Sequence, residues 1–354
     1  MSWIALGDGR RALRRPSAGP EAPALLASGS LVIETLFHAV DLAPQAVLRL
    51  RRCNGWERLL EVTLHADGAV LVEHRQGPAT SFASLQMTRP GQEETLRITY
   101  CWDAPMRTGL LTVENLDAGT LDQVSFDDPQ PMPLDDADAL VLGDGETRTD
   151  PSVALVGLSD QIEPVGLAPG IVNGALVETP LGGRPIETLK RGDLLVTEGR
   201  GYAPVRQVIR RELPAFGRFR PVVLRAPFFG LRRDLSVAMD HRLLIRGTDA
   251  EYLFGADGVL VEARHLARTP AAKRMRQAVT IGYTQVVLDT HDCLMVSGAW
   301  AESLYLSDRG KEPARLASAA LADCTPAELP RHSRVAGPPL KSYEAMVLVS
   351  ALSA

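Results

Sequence analysis

Between Ser30 and Glu114 the apolar residues fall into short runs separated by turn formers. Leu31 to Phe37 is the first run and Ala46 to Leu50 the next. Leu59 to Leu64 leads through Ala66-Asp67-Gly68 into Ala69 to Glu73. An Asp-Gly pair between apolar runs predicts a hairpin, because it favours the positive φ that tight turns need. Leu96 to Tyr100 alternates apolar and polar residues, as a half-buried strand does, and Leu110 to Glu114 follows after a Pro/Gly break. No helical period is sustained in this part of the chain. Short strands with turns between them predict an antiparallel β-sandwich.

From Asp127 to Pro151 the pattern changes. Asp127-Asp128-Pro129, Pro131, Pro133, Asp135-Asp136, Asp138 and Gly143-Asp144-Gly145 give an acidic, turn-rich connector. Dense carboxylates suit Ca²⁺, but the spacing is not that of an EF-hand loop, and a solvated acidic face explains it more simply. The Asp150-Pro151, Glu163-Pro164 and Ala168-Pro169 steps favour extended linker over helix. The expected domains are therefore 1–150, a β-sandwich ending in this acidic linker, and 165–354. In the second, Leu176-Val177 and Leu194-Leu195-Val196 read as strands around the turn signals Gly182-Gly183 and Lys190-Arg191-Gly192-Asp193. Leu316 to Ala322 reads as a short helix and Ala345 to Val349 as a last strand.

The order of residues from Gly170 to Val196 carries more than a strand pattern. Gly174, Thr179-Pro180, Gly183, Pro185-Ile186-Glu187, Leu189 and Gly192-Asp193 together resemble the opening block of the Hint family, the autoprocessing fold shared by inteins and the C-terminal half of Hedgehog proteins. Leu235 to Ile245 is similar to that family's second block, a strand leading to a histidine. Val261 to Leu266, and the run from Tyr283 through His291 to Ser303, resemble later blocks of bacterial Hint proteins. The four lie in order over roughly the second half of the chain. The resemblance implies a Hint-type all-β horseshoe domain with a C-terminal extension. In the first half, Ile98 to Asp103 loosely resembles concanavalin- or laminin-G-like jelly rolls.

What the resemblance implies chemically is a nucleophile at the domain's first residue. A Cys or Ser there attacks the preceding carbonyl and turns an amide into a thioester or ester. The matching position is Gly170, after Pro169, and glycine has no attacking atom. Ser159 and Thr179 are the nearest hydroxyls in sequence, and Cys293 is the thiol closest to a motif histidine. The hydroxyl that helps hold the scissile amide in the family is replaced by Ala238, while His241 and the later His291 remain. Splicing also needs a terminal Asn, and none follows Asn173. The sites singled out are thus Gly170 and Ala238 as vestigial positions, with His241 and His291. The expected protein is cleavage-dead and serves as a binding or export-associated module. Autocatalytic cleavage at Pro169-Gly170 by an unconventional nucleophile and a carbohydrate-binding β-sandwich protein are the alternatives.

Composition narrows this little further. Apolar content of 45% in 354 residues suffices for two cores, and a net charge of −5 argues against nucleic acid or anionic membrane as a general partner. The basic stretch Arg206 to Arg233, interleaved with Phe216, Phe219, Phe228 and Phe229, is either a polyanion surface or strands with one wet face. Four scattered cysteines, Cys53, Cys101, Cys293 and Cys324, read as reduced thiols, with Cys53–Cys101 pairing open to an oxidising compartment. No metal or cofactor is expected. Trp56 and Trp102 are either sugar platforms or ordinary packing, so the expected partner is a protein or a glycan. The N-terminus lacks the apolar core of a secretory signal and no run is long enough to span a bilayer. A cytoplasmic location is the default, with non-classical secretion left open.

Overall fold

The computed structural model describes residues 2–8, 12–14, 25–39, 43–53, 55–88, 91–142, 147–167, 169–275, 278–307 and 313–352. The chain divides into two compact units, Met1–Val165 and Gly166–Ala354. In the first, the strands are β1 (Trp3–Gly7), β2 (Ala12–Arg14), β3 (Leu25–Leu26), β4 (Ser28–His38), β5 (Gln45–Arg52), β6 (Arg58–Leu64) and β7 (Ala69–Gln76). They continue as β8 (Ala79–Gln86), β9 (Glu93–Asp103), β10 (Thr108–Asn115), β11 (Thr120–Asp127), β12 (Met132–Pro133), β13 (Thr147–Thr149) and β14 (Leu155–Ser159). Seven form one sheet, in the order β11-β10-β9-β4-β14-β1-β2, and five a second, β13-β5-β6-β7-β8.

The sequence pattern explains why two sheets stack. Along β6 Leu60, Val62 and Leu64 are buried while Leu59, Glu61 and Thr63 are partly wet, so one face is apolar. It packs with the inward residues of β4, β9 and β10 in a single core that includes Phe37, Ile98, Tyr100 and Trp102. The β6–β7 hairpin turns at Asp67-Gly68 as expected, with Gly68 at φ 88°. Its Asp67 carboxylate accepts the Ala69 amide at 3.0 Å.

The acidic stretch matches its sequence reading at Asp127, Asp128 and Asp135, which are exposed, and departs from it elsewhere. It contributes a helix, α1 (Asp136–Leu142), and β13, while β14 inserts between β4 and β1. Asp136 is buried at 1% exposure and pairs with Arg58 and Arg52, each at 3.4 Å. Long-range arginines therefore draw inward a carboxylate that looks solvated in sequence. Gly143-Asp144-Gly145, the Asp138 side chain and Ala168 lie outside the described residues.

The second unit is a strongly curled antiparallel sheet. Its strands are β15 (Ile171–Val172), β16 (Leu176–Thr179), β17 (Gly182–Pro185), β18 (Leu194–Thr197), β19 (Gly201–Pro214), β20 (Val222–Leu224) and β21 (Leu235–Val237). The rest are β22 (Arg242–Arg246), β23 (Gly258–Glu262), β24 (Ala272–Arg274), β25 (Thr280–Leu288), β26 (Cys293–Val296) and β27 (Ala299–Glu302). The order is β23-β22-β27-β26-β18-β19-β25-β15-β21-β20-β24, with β16 and β17 attached at β26. Long β19 pairs with β18 at its start and with β25 from Val205 onward, across a bulge at Val205/Gln207. A bulge raises local twist, which lets one strand serve both halves of the curl.

Helices α2 (Thr248–Phe254) and α3 (Ala263–Leu266) cover this sheet, followed by α4 (Pro313–Ala317) and α5 (Ser342–Leu352). Two expectations are corrected here. The helix near Leu316 begins earlier, at Pro313. Ala345 to Val349 is helix, not strand: Ala345, Leu348 and Val349, spaced three and four apart, turn one face into the core.

Candidate functional site

Gly170 and Pro169 are both buried. The strand that follows, β15, lies between β21 and β25, with Ile171 opposite Val237 on one side and Thr284 on the other. The Gly170 carbonyl accepts the Ala238 amide at 2.9 Å, and the Ala238 carbonyl accepts the His241 amide at 3.1 Å. Two successive backbone hydrogen bonds thus bring Gly170, Ala238 and His241 to one place.

The glycine at 170 is not there for its conformational freedom, since it does not have positive φ. It is there for space. A Cβ at this position would meet Gln285 Oε1 at 1.9 Å and the Thr284 carbonyl at 2.5 Å. No real Cβ survives such contacts, so the volume where a side chain would project from the junction is already filled. Gln285 lies inside the block from Tyr283 to Ser303, but nothing in the sequence singles it out as a neighbour of Gly170. Only the fold reveals it, because β25 places it beside a residue far away along the chain.

Other candidate nucleophiles are engaged or masked. Thr179 Oγ donates to the Gly182 carbonyl at 2.7 Å and so holds its own turn. Ser159 belongs to the first unit, where its hydroxyl donates to Glu163 at 2.7 Å. Cys293 is fully buried, and that burial, reinforced by Glu302 and Asp292, pushes its thiol far above the ordinary range. A thiol held protonated is a poor nucleophile.

His241 is 2% exposed, and its Nε2 has no partner among the described residues. Burial lowers its pKa to about 4, against the opposing pull of Glu302. The ring is neutral at ordinary pH. Glu302, which sequence reasoning did not single out, is the hub of the surrounding charges. Its Oε1 accepts the Arg242 backbone amide at 3.0 Å and Arg242 Nε at 2.9 Å, while Arg242 Nη2 reaches Oε2 at 2.8 Å. Burial alone would raise this carboxyl, but His291, Arg242 and His241 outweigh it and hold its pKa below the ordinary value.

His291 stands on the other side of Glu302, Nε2 to Oε2 3.4 Å. Its Nδ1 accepts the Ala336 amide at 2.9 Å, and its Nε2 lies 3.1 Å from the Ser303 carbonyl. One ring nitrogen must accept and the other donate, so this geometry fits a neutral ring protonated on Nε2. The residue is packed into a hydrogen-bonded corner shared with the C-terminal segment. The structure links it to His241 through Glu302 and not directly to Gly170.

In the first unit the tryptophans separate. Trp102 is 0% exposed and donates to the Leu26 carbonyl at 3.0 Å, which overturns it as a sugar platform. Trp56 is 47% exposed, with its indole N–H on Gln76 and Arg58 over the ring. Cys53 and Cys101 are unpaired, one exposed and one buried. Among the described residues no three His, Cys, Asp or Glu side chains converge where a metal would be held, and no helix is long and apolar enough to cross a membrane.

Residues 169–308 match the family model described as a Hint domain, so the match begins one residue before Gly170 and ends after the Ser303 corner. No curated protein matches the chain. Among solved structures, a bacterial intein-like domain from Clostridium thermocellum is 15% identical, with TM-score 0.28, covering 38% of this chain and 99% of that one. The CBM40 domain of Ruminococcus gnavus IT-sialidase bound to α2,3-sialyllactose is 14% identical, with TM-score 0.27, covering 38% of this chain and 76% of that one. The LG1-3 region of the laminin α2 chain is 12% identical, with TM-score 0.26, covering 85% of this chain and 55% of that one.

Proposed function

Taking residues 169–308 as a Hint domain, we propose that it does not cut the chain at its own junction and that the protein acts as a binding or export-associated module. One observation carries this reading. The junction residue has no side chain, and the space a nucleophile would occupy holds the Gln285 carboxamide and the Thr284 carbonyl. The rest of the corner is consistent with it. Ala238 offers no hydroxyl to hold the Pro169–Gly170 amide, and His241 is neutral with an unpaired Nε2 that has no leaving group to protonate. Gly170 and Ala238 are in this reading vestigial positions, His241 a remnant of the cleavage chemistry, and His291 a structural residue.

The experiment is an intact-mass measurement on purified protein after long incubation with a thiol. A single species at 38.2 kDa is expected. Appearance of an N-terminal fragment ending at Pro169 would refute inertness and restore the autocatalytic alternative. A second reading, a glycan-binding sandwich, is favoured by the exposure of Trp56. It predicts glycan-array binding that Trp56→Ala removes.

A further inference from the structure

The basic, phenylalanine-rich stretch Arg206 to Arg233 resolves into two populations of arginine. Arg206 pairs with Asp289, Arg218 pairs with Asp240 at 3.3 Å, and Arg210, Arg211 and Arg220 donate to backbone carbonyls. These five belong to the framework. The guanidinium groups of Arg225, Arg232 and Arg233 make no hydrogen bond or ion pair with any described residue, and all three residues are exposed. They share one loop, 225–234, which joins the paired strands β20 and β21.

That loop is built to present an aromatic ring. Phe229 has φ 58° and ψ 24°, a left-handed conformation that a bulky residue adopts only when its surroundings impose it. The turn sends Phe229 against the core of the second unit, while its neighbour Phe228 stays 50% exposed beside exposed Pro227. The base is fixed from three sides. Arg225 donates its amide to the Ala271 carbonyl, Arg232 its amide to the Ser297 carbonyl, and Ala226 its amide to the Asp234 carboxylate at 2.9 Å. Asp234, the loop's single acid, is thereby committed to its own backbone.

We propose that this hairpin tip is a docking point for an anionic lipid surface, with Phe228 entering the interface and Arg225, Arg232 and Arg233 at the level of the phosphates. Three unpaired guanidiniums and one exposed ring on the same loop supply complementary charge and an apolar anchor together. A peptide or a nucleic-acid strand would need a groove or a free strand edge to run along; the loop itself offers neither, and the nearest sheet edge, β24, lies at its foot and not at its tip. The charge of the second unit is in keeping. Residues 166–354 carry 25 Lys and Arg against 19 Asp and Glu, although the whole chain is at −5. At physiological salt charges are screened over about 8 Å, so the charge local to the tip weighs more than the net charge of the chain. The proposal stands whether or not the junction cleaves.

The test is flotation of the full chain with phosphatidylcholine vesicles and with mixed phosphatidylcholine–phosphatidylglycerol vesicles. Binding is expected to the anionic vesicles alone, weakened by salt. Phe228→Asp should lower it by roughly tenfold and Arg225→Glu/Arg232→Glu/Arg233→Glu should abolish it. Both sets lie on exposed side chains, and an unchanged melting temperature keeps loss of binding from being loss of fold. Absence of anionic-vesicle binding overturns the proposal, as does binding that both variants leave intact. So does stronger tip-dependent capture by a polyglutamate peptide or a single-stranded oligonucleotide, which would assign the tip to another partner class.

Discussion

Replacing Gly170 with Ala sets two known effects against each other. Where the backbone allows it, Gly→Ala stabilises by about 0.4–1 kcal/mol, because the unfolded chain loses freedom. Gly170 has no positive φ, so this gain is available in principle. Against it stands the added methyl, 1.9 Å from Gln285 Oε1 and 2.5 Å from the Thr284 carbonyl. The Gln285 side chain can rotate away at about 0.5–1.5 kcal/mol. The Thr284 carbonyl cannot, because β25 is paired along its length with β19, Thr284 opposite Arg210, and again with β15 at Ile171. Relief therefore requires β15 to shift, and overpacking of this kind costs about 1–3 kcal/mol.

The net expectation for Gly170→Ala is a loss of about 1–3 kcal/mol in the second unit. Hydrogen exchange of peptides from residues 280–288 in rising urea reads that unit alone and avoids the tryptophans of the first. Adding Gln285→Ala should return about 1 kcal/mol and no more, since the backbone clash persists. A neutral or stabilised Gly170→Ala protein would mean that the junction has room for a side chain. The account of an occupied nucleophile position would then fail.

Three further outcomes follow from the same geometry. Gly170→Cys with Ala238→Thr should stay uncut in thiol, while adding Gln285→Ala should give slow scission after Pro169; a break at another bond would show the register to be wrong. His241 is neutral in the folded state with a pKa of about 4, against about 6.5 unfolded. The unfolded chain therefore binds the proton more tightly, and stability is intact above about pH 6.5 and falls by about 3 kcal/mol as pH drops towards 4. His241→Leu should make that slope shallower in the second unit, the remainder coming from His265, whose pKa burial also lowers to about 4, and should leave the chain uncleaved; an unchanged slope would remove the assignment. In the first unit, Trp102→Ala should cost about 3–5 kcal/mol by denaturant unfolding, and exposed Trp56→Ala less than about 1; equal losses would contradict the packing.

What the sequence made legible was whatever is specified locally. The Asp67-Gly68 hairpin, the alternation in β9 and the ordered blocks from Gly170 to Ser303 are patterns of neighbours, and they fixed the fold class and the meeting of Gly170, Ala238 and His241. The misreadings share a cause. Asp136 looks solvated until Arg58 and Arg52, distant in sequence, supply the charge that lets it be buried. Ala345 to Val349 looks like a strand because valines favour sheets, yet with no strand beside it the core-facing period of three and four prevails. Gln285 is the sharpest case. In the proposed reading, glycine at 170 alone says that a nucleophile is missing, a state that one substitution could reverse. Gln285 beside Thr284 says that the site has also been filled. Missing chemistry is visible in the residue itself, whereas an occupied space belongs to the residue that occupies it, and only the pairing of β15 with β25 brings the two into contact.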